Sequence, residues 1–557
     1  MSDQIEQKNR ASDVIVKGLQ SHGTKRLYCV PGESYLTLLD SLYDSSKIET
    51  IVCRHESGAG FMALAEAKLT GKAGVFAVSR GPGATNGSIA LHVAEQDGVP
   101  LICLIGQVSR AEKGKDAFQE MNYFDYFGSV CKAVFEPSQG DDVANVLAQA
   151  ILIAESGTPG PVVISMPEDM LADYTQNTAQ LSPAETPSKA KDNQSQQLLD
   201  LIAAAKQPLI FAGNQMRGEK PQEALSAFAE KFQIPVVCGW KAQDVFDNYN
   251  PLYGGHIGFG APLVQKELYS RADLIIAVGS RLGDVSTMNY AVPLAPKPLQ
   301  PLVHINQDKA QIGKVYDTDL AICADVGAFL STMLEHDTVA NKATSDWVNE
   351  VKQFVDEFMT FTSVEPDDGV DFGKVVTAAA TLAPDDAIII TDSGNFSSWV
   401  HRYWRLGKSH TMLGAVGGAM GFGVPGAVGA ALTQPDRMVI CVVGDGGILM
   451  TGQEIATAVQ YGAKPKIILS DNGIYGTIRT HQEKRFSGRV NGTNLKNPDF
   501  AKWADSFGVQ SLTINLGDDV EAVLKQMLDH DGPSVVHVHS SAEALSAFTT
   551  LSALTNA

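Results

Sequence analysis

The chain alternates short, almost wholly apolar runs with longer stretches in which apolar residues recur at helical spacing, and this alternation fills three successive blocks. From about 10 to 170, RLYCVPG, AGVFAVSRG, PLICLIGQ and GPVVISMP read as strands separated by helical stretches such as SGAGFMALAEAKLTG. Strands parted by helices imply βαβ units on a parallel sheet. Residues 174–197 are poor in large apolar side chains and rich in Pro, Ser, Gln and Lys, the composition of a linker. A second block carries PLIFAGN, IPVVCGW, ADLIIAVGSR and LVHINQD and runs to about 335. The polar, helix-prone HDTVANKATSDWVNEVKQF then leads into a third block with DAIIITDSGN, RMVICVVGDGG, KPKIILSDNG and PSVVHVHS. The expected fold is α/β with three doubly wound parallel-sheet domains, at 1–173, 198–335 and 365–545.

Composition narrows the function classes. A length of 557 residues asks for several domains. A net charge of −20 with no block of like charges excludes the basic face that a nucleic-acid partner needs. The seven cysteines are scattered singly with no CxxC pair, which fits buried thiols in a reducing compartment rather than disulfides or a zinc site. The start, MSDQIEQKNRASDVIVKGL, is too polar for a signal peptide, and no apolar run reaches the length of a membrane span. A cytoplasmic protein without a membrane partner is expected.

Two strand ends carry the candidate chemistry. One runs into Gly444-Asp445-Gly446-Gly447 and the next into Asp471-Asn472-Gly473. In parallel sheets ligands bind where strands end at their carboxyl side. Gly-Asp-Gly-Gly leaves backbone N–H groups uncovered at the start of a helix, which attracts phosphate oxygens. Asp445 adds one hard oxygen ligand. Asn472, 27 residues later, would face the same point if the two strands are neighbours. A carboxylate, an amide oxygen, a backbone carbonyl and a diphosphate suit Mg²⁺. Either tripeptide alone is also explained as a tight turn, but the pair at this spacing favours the metal-diphosphate reading. LGAVGGAMGFG, at 413–423, is glycine-rich yet precedes no Lys-Ser/Thr, so it is not a P-loop.

The GDG, about 25 residues, then Asn pattern resembles the motif of thiamine diphosphate enzymes. The surrounding VPGESYLTLLDSL, RGPGATNGSIALHVAEQDGVPLICLIGQV, KDAFQE, GGAMGFGVPGAVGAAL and GDGGILMTGQEIATAVQYG resemble the acetolactate synthase branch of that superfamily. The resemblance implies three domains of similar topology: pyrimidine-binding, central, and diphosphate-binding. It implies Mg²⁺ held by Asp445, Asn472 and the main-chain oxygen of Ile474, with Gly394, Asn395, Gly446, Gly447, Gly476 and Thr477 around the diphosphate, and Gly418 and Tyr475 in the same binding set. Glu56 takes the place of the carboxylate that biases the cofactor's aminopyrimidine to its imino tautomer. From the residues alone it is equally a first-turn acid at a helix N-terminus. Met420 takes the place of the apolar residue beneath the folded cofactor, the bland alternative being core packing.

By the same resemblance Phe118 and Gln119 lie on the substrate side, and Arg281 grips the carboxylate of a second keto acid. Gly81, Pro82 and Gly83 form a tight loop before a helix that Thr85 or Asn86 caps, while Arg80 narrows the channel, binds a carboxylate or faces solvent. His481 stands near the place of a family tryptophan that favours larger acceptors. His55 and His92 read as structural, and no two of the twelve histidines are adjacent, which removes the pair used for simple aldehyde release. Because the family pairs one subunit's pyrimidine domain with another's diphosphate domain, a homodimer or homotetramer with the active site between subunits is expected.

The implied activity is a Mg²⁺- and thiamine diphosphate-dependent carboligase or lyase that decarboxylates a 2-keto acid, pyruvate first, and transfers the acyl-anion equivalent to a second keto acid or an aldehyde. The central segments FAGNQMRG and GGHIGFG leave FAD, another adenine nucleotide or neither open. The alternatives are C–C cleavage of a diketone or another 2-keto acid without carboligation, and a non-catalytic cofactor-binding homologue.

Overall fold

The computed structural model describes residues 9–183, 192–336 and 344–555. The rest of the linker, at 184–191, and part of the polar stretch, at 337–343, lie outside the described residues.

Each apolar run forms a strand, and the strands assemble into three six-stranded sheets whose pairings are all parallel. The first orders its strands as Glu49–Val52, Arg26–Cys29, Gly74–Ser79, Leu101–Gln107, Pro161–Pro167 and Ala133–Phe135. The third orders them as Thr411–Gly414, Ile388–Thr391, Val439–Gly444, Lys466–Asp471, Ser534–His539 and Gln510–Ile514. Counted within each sheet, both read 2-1-3-4-6-5. The central sheet instead reads 3-2-1-4-5-6, the order of dinucleotide-binding sheets. The expectation of three similar topologies therefore holds for the outer pair only. Parallel strands need helical crossovers on both faces, so both faces are buried and the strands carry continuous rather than alternating apolar residues. Val439–Gly444 is buried at every position.

The outer units meet through two helices rich in small residues, Glu56–Thr70 and Gly423–Thr433. A Cβ on Gly429 would lie 2.6 Å from the carbonyl oxygen of Met62, so only glycine permits this approach. Phe61 meets Phe422 edge to face at 5.7 Å across the same seam.

Two local expectations are corrected. The stretch from 174 is not wholly linker: Tyr174–Thr175 pairs antiparallel with Asn9–Arg10, Ala179 and Leu181 pack on the first core, and the helix Asp192–Ala204 starts before 197. Gly81-Pro82-Gly83 is not a loop but the first turn of the helix Arg80–Asp97, where proline's missing N–H has no helical partner to lose. Thr85 and Asn86 thus lie inside the helix instead of capping it: the Thr85 hydroxyl donates to Pro82 O, and Asn86 donates to Glu56.

Candidate active site

In the third sheet the strand order reverses between Ile388–Thr391 and Val439–Gly444, and the chain segments leaving these strands carry Asp392 to Asn395 and Asp445. Lys466–Asp471 is the next parallel neighbour, with Gly444 opposite Ser470, so Asp445 and Asn472 leave adjacent strands side by side. The condition set by the sequence for a shared metal point is met.

Asp445 is held from several sides. Its Oδ1 accepts from Gly446 N at 2.9 Å, and its Oδ2 from Gly473 N at 3.0 Å and Asn497 Nδ2 at 2.8 Å. Burial pushes its carboxyl up to about 6, with the Asn497 hydrogen bond pulling the other way. Asn472 Oδ1 accepts from Ile474 N at 3.3 Å. The chain beyond is pinned by Tyr475 N donating to Thr493 O at 2.8 Å and Leu495 N to Gly473 O at 2.7 Å. Asp445, Asn472 and the Ile474 carbonyl are all hard oxygen donors, the kind Mg²⁺ takes.

Around this point the other expected residues converge. A Cβ on Gly446 would sit 2.4 Å from the Tyr475 ring and 3.3 Å from Met420 Cε. Gly446→Ala should therefore cost about 1–3 kcal/mol by forcing ring or thioether to move; an unchanged denaturation midpoint would show that the two side chains do not close on this glycine. Asn395 accepts from the Thr477 hydroxyl at 2.9 Å, donates to Thr480 Oγ1 at 3.1 Å, and lies against Gly476. Gly418 has φ +75° and open space where a side chain would be. Ser393 Oγ and Thr493 Oγ, in the loops that flank these residues, are buried without a hydrogen-bond partner. Oxygen donors at the metal point, glycine-bared backbone and unsatisfied hydroxyls fit a magnesium diphosphate.

The loop carrying Gly418 and Met420 is tied to all three units. Asp392 is fully buried and accepts from Gly421 N at 3.0 Å, Gly423 N at 3.2 Å and Ser393 N at 2.6 Å. Burial raises its carboxyl above the ordinary range, and those three N–H groups oppose the shift. Lys68 Nζ donates to Gly414 O at 2.6 Å while paired with Asp97 at 2.5 Å, and Asp97 accepts from Gly417 N. From the central unit Lys241 Nζ donates to Ala415 O at 3.0 Å; burial pushes its ammonium down to about 8. Asp392→Ala would strand three buried donors, and a loss of about 2–4 kcal/mol is expected in chemical denaturation. An unchanged midpoint would remove Asp392 as the loop's organiser.

Glu56 makes its contacts in the first unit. It is the first residue of its helix, and Oε2 accepts from Asn86 Nδ2 at 2.9 Å. The start of that helix is held by Glu454, whose Oε1 accepts from Arg54 N at 2.9 Å and His55 N at 3.0 Å. Phe118 is 77% exposed, and Gln119, at φ +65°, offers its carbonyl to Gly81 N. Arg281 donates from Nη1 to Glu95 O at 3.3 Å and from Nη2 to Gln96 O, and so sits on the last turn of the helix Arg80–Asp97. Arg80 does not face solvent; it pairs with Glu168 at 2.8 Å. His55 caps its helix by accepting from Ser57 N, a structural role as expected.

Asp392, Glu454 and Asn497 were not singled out in the sequence. The first two carried a readable signal, an acid at the end of an apolar strand and an acid just before an apolar helix, whereas Asn497 in LKNPDF carried none.

A parallel α/β sheet with a metal-diphosphate crevice at its switch point defines a class of cofactor-dependent enzymes, and comparison with known proteins agrees. Residues 9–126 match the N-terminal TPP binding domain of the thiamine pyrophosphate enzymes, residues 195–333 their central domain, and residues 392–538 their C-terminal TPP binding domain; the chain belongs to this family. Thiamine pyrophosphate is another name for thiamine diphosphate. Within the family the chain is similar to acetolactate synthase large subunits: 32% identical to that of Parasynechococcus marenigrum (strain WH8102), over 94% of this chain and 86% of the relative. It is 31% identical to the large subunit of Lactococcus lactis subsp. lactis (strain IL1403), over 96% and 93%, and 31% identical to the isozyme 1 large subunit of Escherichia coli (strain K12), over 96% and 94%. No helix among the described residues is long and apolar enough to cross a membrane.

Proposed function

We propose that the protein is a Mg²⁺- and thiamine diphosphate-dependent carboligase that decarboxylates pyruvate and joins the remaining two-carbon unit to a second carbonyl compound. One observation carries the reading: Asp445 and Asn472 leave adjacent parallel strands at the sheet's switch point, with the Asp445 carboxylate buried and Gly446 bare beside it. The relatives' names, acetolactate synthase large subunit, supply the substrate class.

Asp445, Asn472 and the Ile474 carbonyl would hold Mg²⁺, with Gly394, Asn395, Gly446, Gly447, Gly476 and Thr477 around the diphosphate. When bound, the cofactor supplies a carbon nucleophile and an electron sink for the carboxylate's electrons. Glu56 would share a proton with the pyrimidine ring of a bound cofactor, and Asn86, donating to its Oε2, fixes the direction of the carboxylate. Met420, whose Cε lies beside Gly446, would support the folded cofactor from below. Phe118, Gln119 and Arg281 are assigned to the substrate side of the completed site. The family resemblance pairs the first unit of one subunit with the third of another, so in this reading Glu56, in the first unit, serves a partner subunit's cofactor and a homodimer is the smallest active form.

The three functional units are taken as 1–173, 198–335 and 365–545, and a cytoplasmic location is assigned. The 3-2-1-4-5-6 order of the central sheet suits an adenine dinucleotide such as FAD as that unit's ligand, without an electron-transfer role in the reaction. Following CO₂ from a panel of 2-keto acids, with and without added aldehyde, tests donor and acceptor together. CO₂ from pyruvate with a ligated product supports the reading; cofactor binding without CO₂ from any 2-keto acid overturns it in favour of diketone cleavage or a non-catalytic homologue.

A further inference from the structure

The strand Ser534–His539 ends in His537-Val538-His539. Side chains two apart on a strand share a face, and the two imidazoles lie with ring centroids 4.2 Å apart. On the neighbouring parallel strand Asp471 is the direct partner of His539, so its carboxylate stands on the same face. Asp471 Oδ2 is 2.9 Å from His537 Nε2, and one ligand atom from each of the three residues lies within 4.8 Å of the others.

Two further features are those of a metal site. Asp471 Oδ1 is engaged by Gly473 N at 3.2 Å and by Asn497 Nδ2 at 2.7 Å, so a second layer of donors orients the carboxylate with Oδ2 toward the imidazoles. The His539 ring has no hydrogen-bond partner among the described residues and is exposed at a cavity of about 490 Å³ lined in part by Asp471, Asn497, Asp499, Thr513 and His537. That cavity admits an ion and a water to complete its coordination.

We propose that Asp471, His537 and His539 bind a divalent transition-metal ion of the Zn²⁺ type. Two imidazoles and one carboxylate, with an open fourth position, is a donor set that zinc takes and that Mg²⁺ and Ca²⁺ avoid. The site adjoins the Asp445–Asn472 clamp, Asp471 directly preceding Asn472, but it uses a different donor set and stands whether or not that clamp holds a cofactor. The two are coupled: the Asp445 and Asp471 carboxylates interact directly, and Gly473 N and Asn497 donate to both, so an ion on Asp471 draws on the same donors that steady Asp445.

The test uses tag-free full-length protein, stripped with chelator and kept in excess Mg²⁺ so that hard-oxygen sites are filled. Zn²⁺ is titrated by calorimetry, and Co²⁺ is added as a spectroscopic probe. One equivalent per chain is expected, with visible Co²⁺ ligand-field absorption. His539 is exposed, so His539→Ala should fold normally and weaken Zn²⁺ by more than the roughly 10- to 100-fold that losing an outer partner costs. The control His530→Ala, at an exposed histidine outside the triad, should change nothing. Asp471→Asn, which keeps the side chain's shape, should also weaken Zn²⁺. Absence of stoichiometric binding, or binding that His539→Ala leaves intact, would mean adventitious surface coordination only and would overturn the proposal.

Discussion

Glu56→Gln is expected to bind thiamine diphosphate with near-normal affinity and to lose turnover by about 10²–10⁴-fold, the range for removing a positioned proton-transfer group. The separation of the two effects follows from what holds the residue. Glutamine keeps an oxygen for the Asn86 amide, and the start of the helix is tethered by Glu454 through the backbone of Arg54 and His55, which the substitution does not touch. Only the capacity to share a proton with the cofactor's ring nitrogen is lost. Cofactor titration together with steady-state rates checks it, and near-normal turnover would remove Glu56 from the chemistry.

Asp445→Ala should do the reverse and weaken binding. It deletes the one charged ligand of the proposed clamp and leaves Gly473 N and the Asn497 amide with Asp471 alone of their two carboxylate acceptors. A loss of Mg²⁺-dependent cofactor affinity of about a hundredfold or more is expected, roughly 3 kcal/mol, while the apo fold persists because the strands beneath it are untouched. Calorimetric titration of cofactor with Mg²⁺ measures this directly. Retained affinity would place the metal elsewhere.

The sheets were legible because their inner strands are continuous apolar runs between helical spacers, and the four strands quoted from the third block all lie where expected, whereas edge strands such as Gln510–Ile514 and Glu49–Val52 mix in polar residues. The order of those strands was not legible. Periodicity tells which segments are strands but not which are neighbours, and so the difference between the 2-1-3-4-6-5 outer sheets and the 3-2-1-4-5-6 central sheet came from the structure alone. RGPGATN misled because glycine and proline signal a turn as readily as the first turn of a helix. At the site, Asp445 and Asn472 were visible through their spacing. Asp392, Glu454 and Asn497 act on backbone and side chains tens to hundreds of residues away, as Glu454 does on Arg54, and local sequence patterns carry no mark of such contacts. His537 and Asp471 meet for the same reason, although His-Val-His on a strand could have been read from its period of two.

The most direct test of the central claim is an NMR analysis of products after incubating the purified protein with Mg²⁺, thiamine diphosphate and pyruvate. The account predicts cofactor-dependent CO₂ release with acetolactate as the product, carried by the metal clamp at Asp445 and Asn472 and by Glu56. Bound cofactor with acetaldehyde as the product, or with no CO₂ at all, would contradict it.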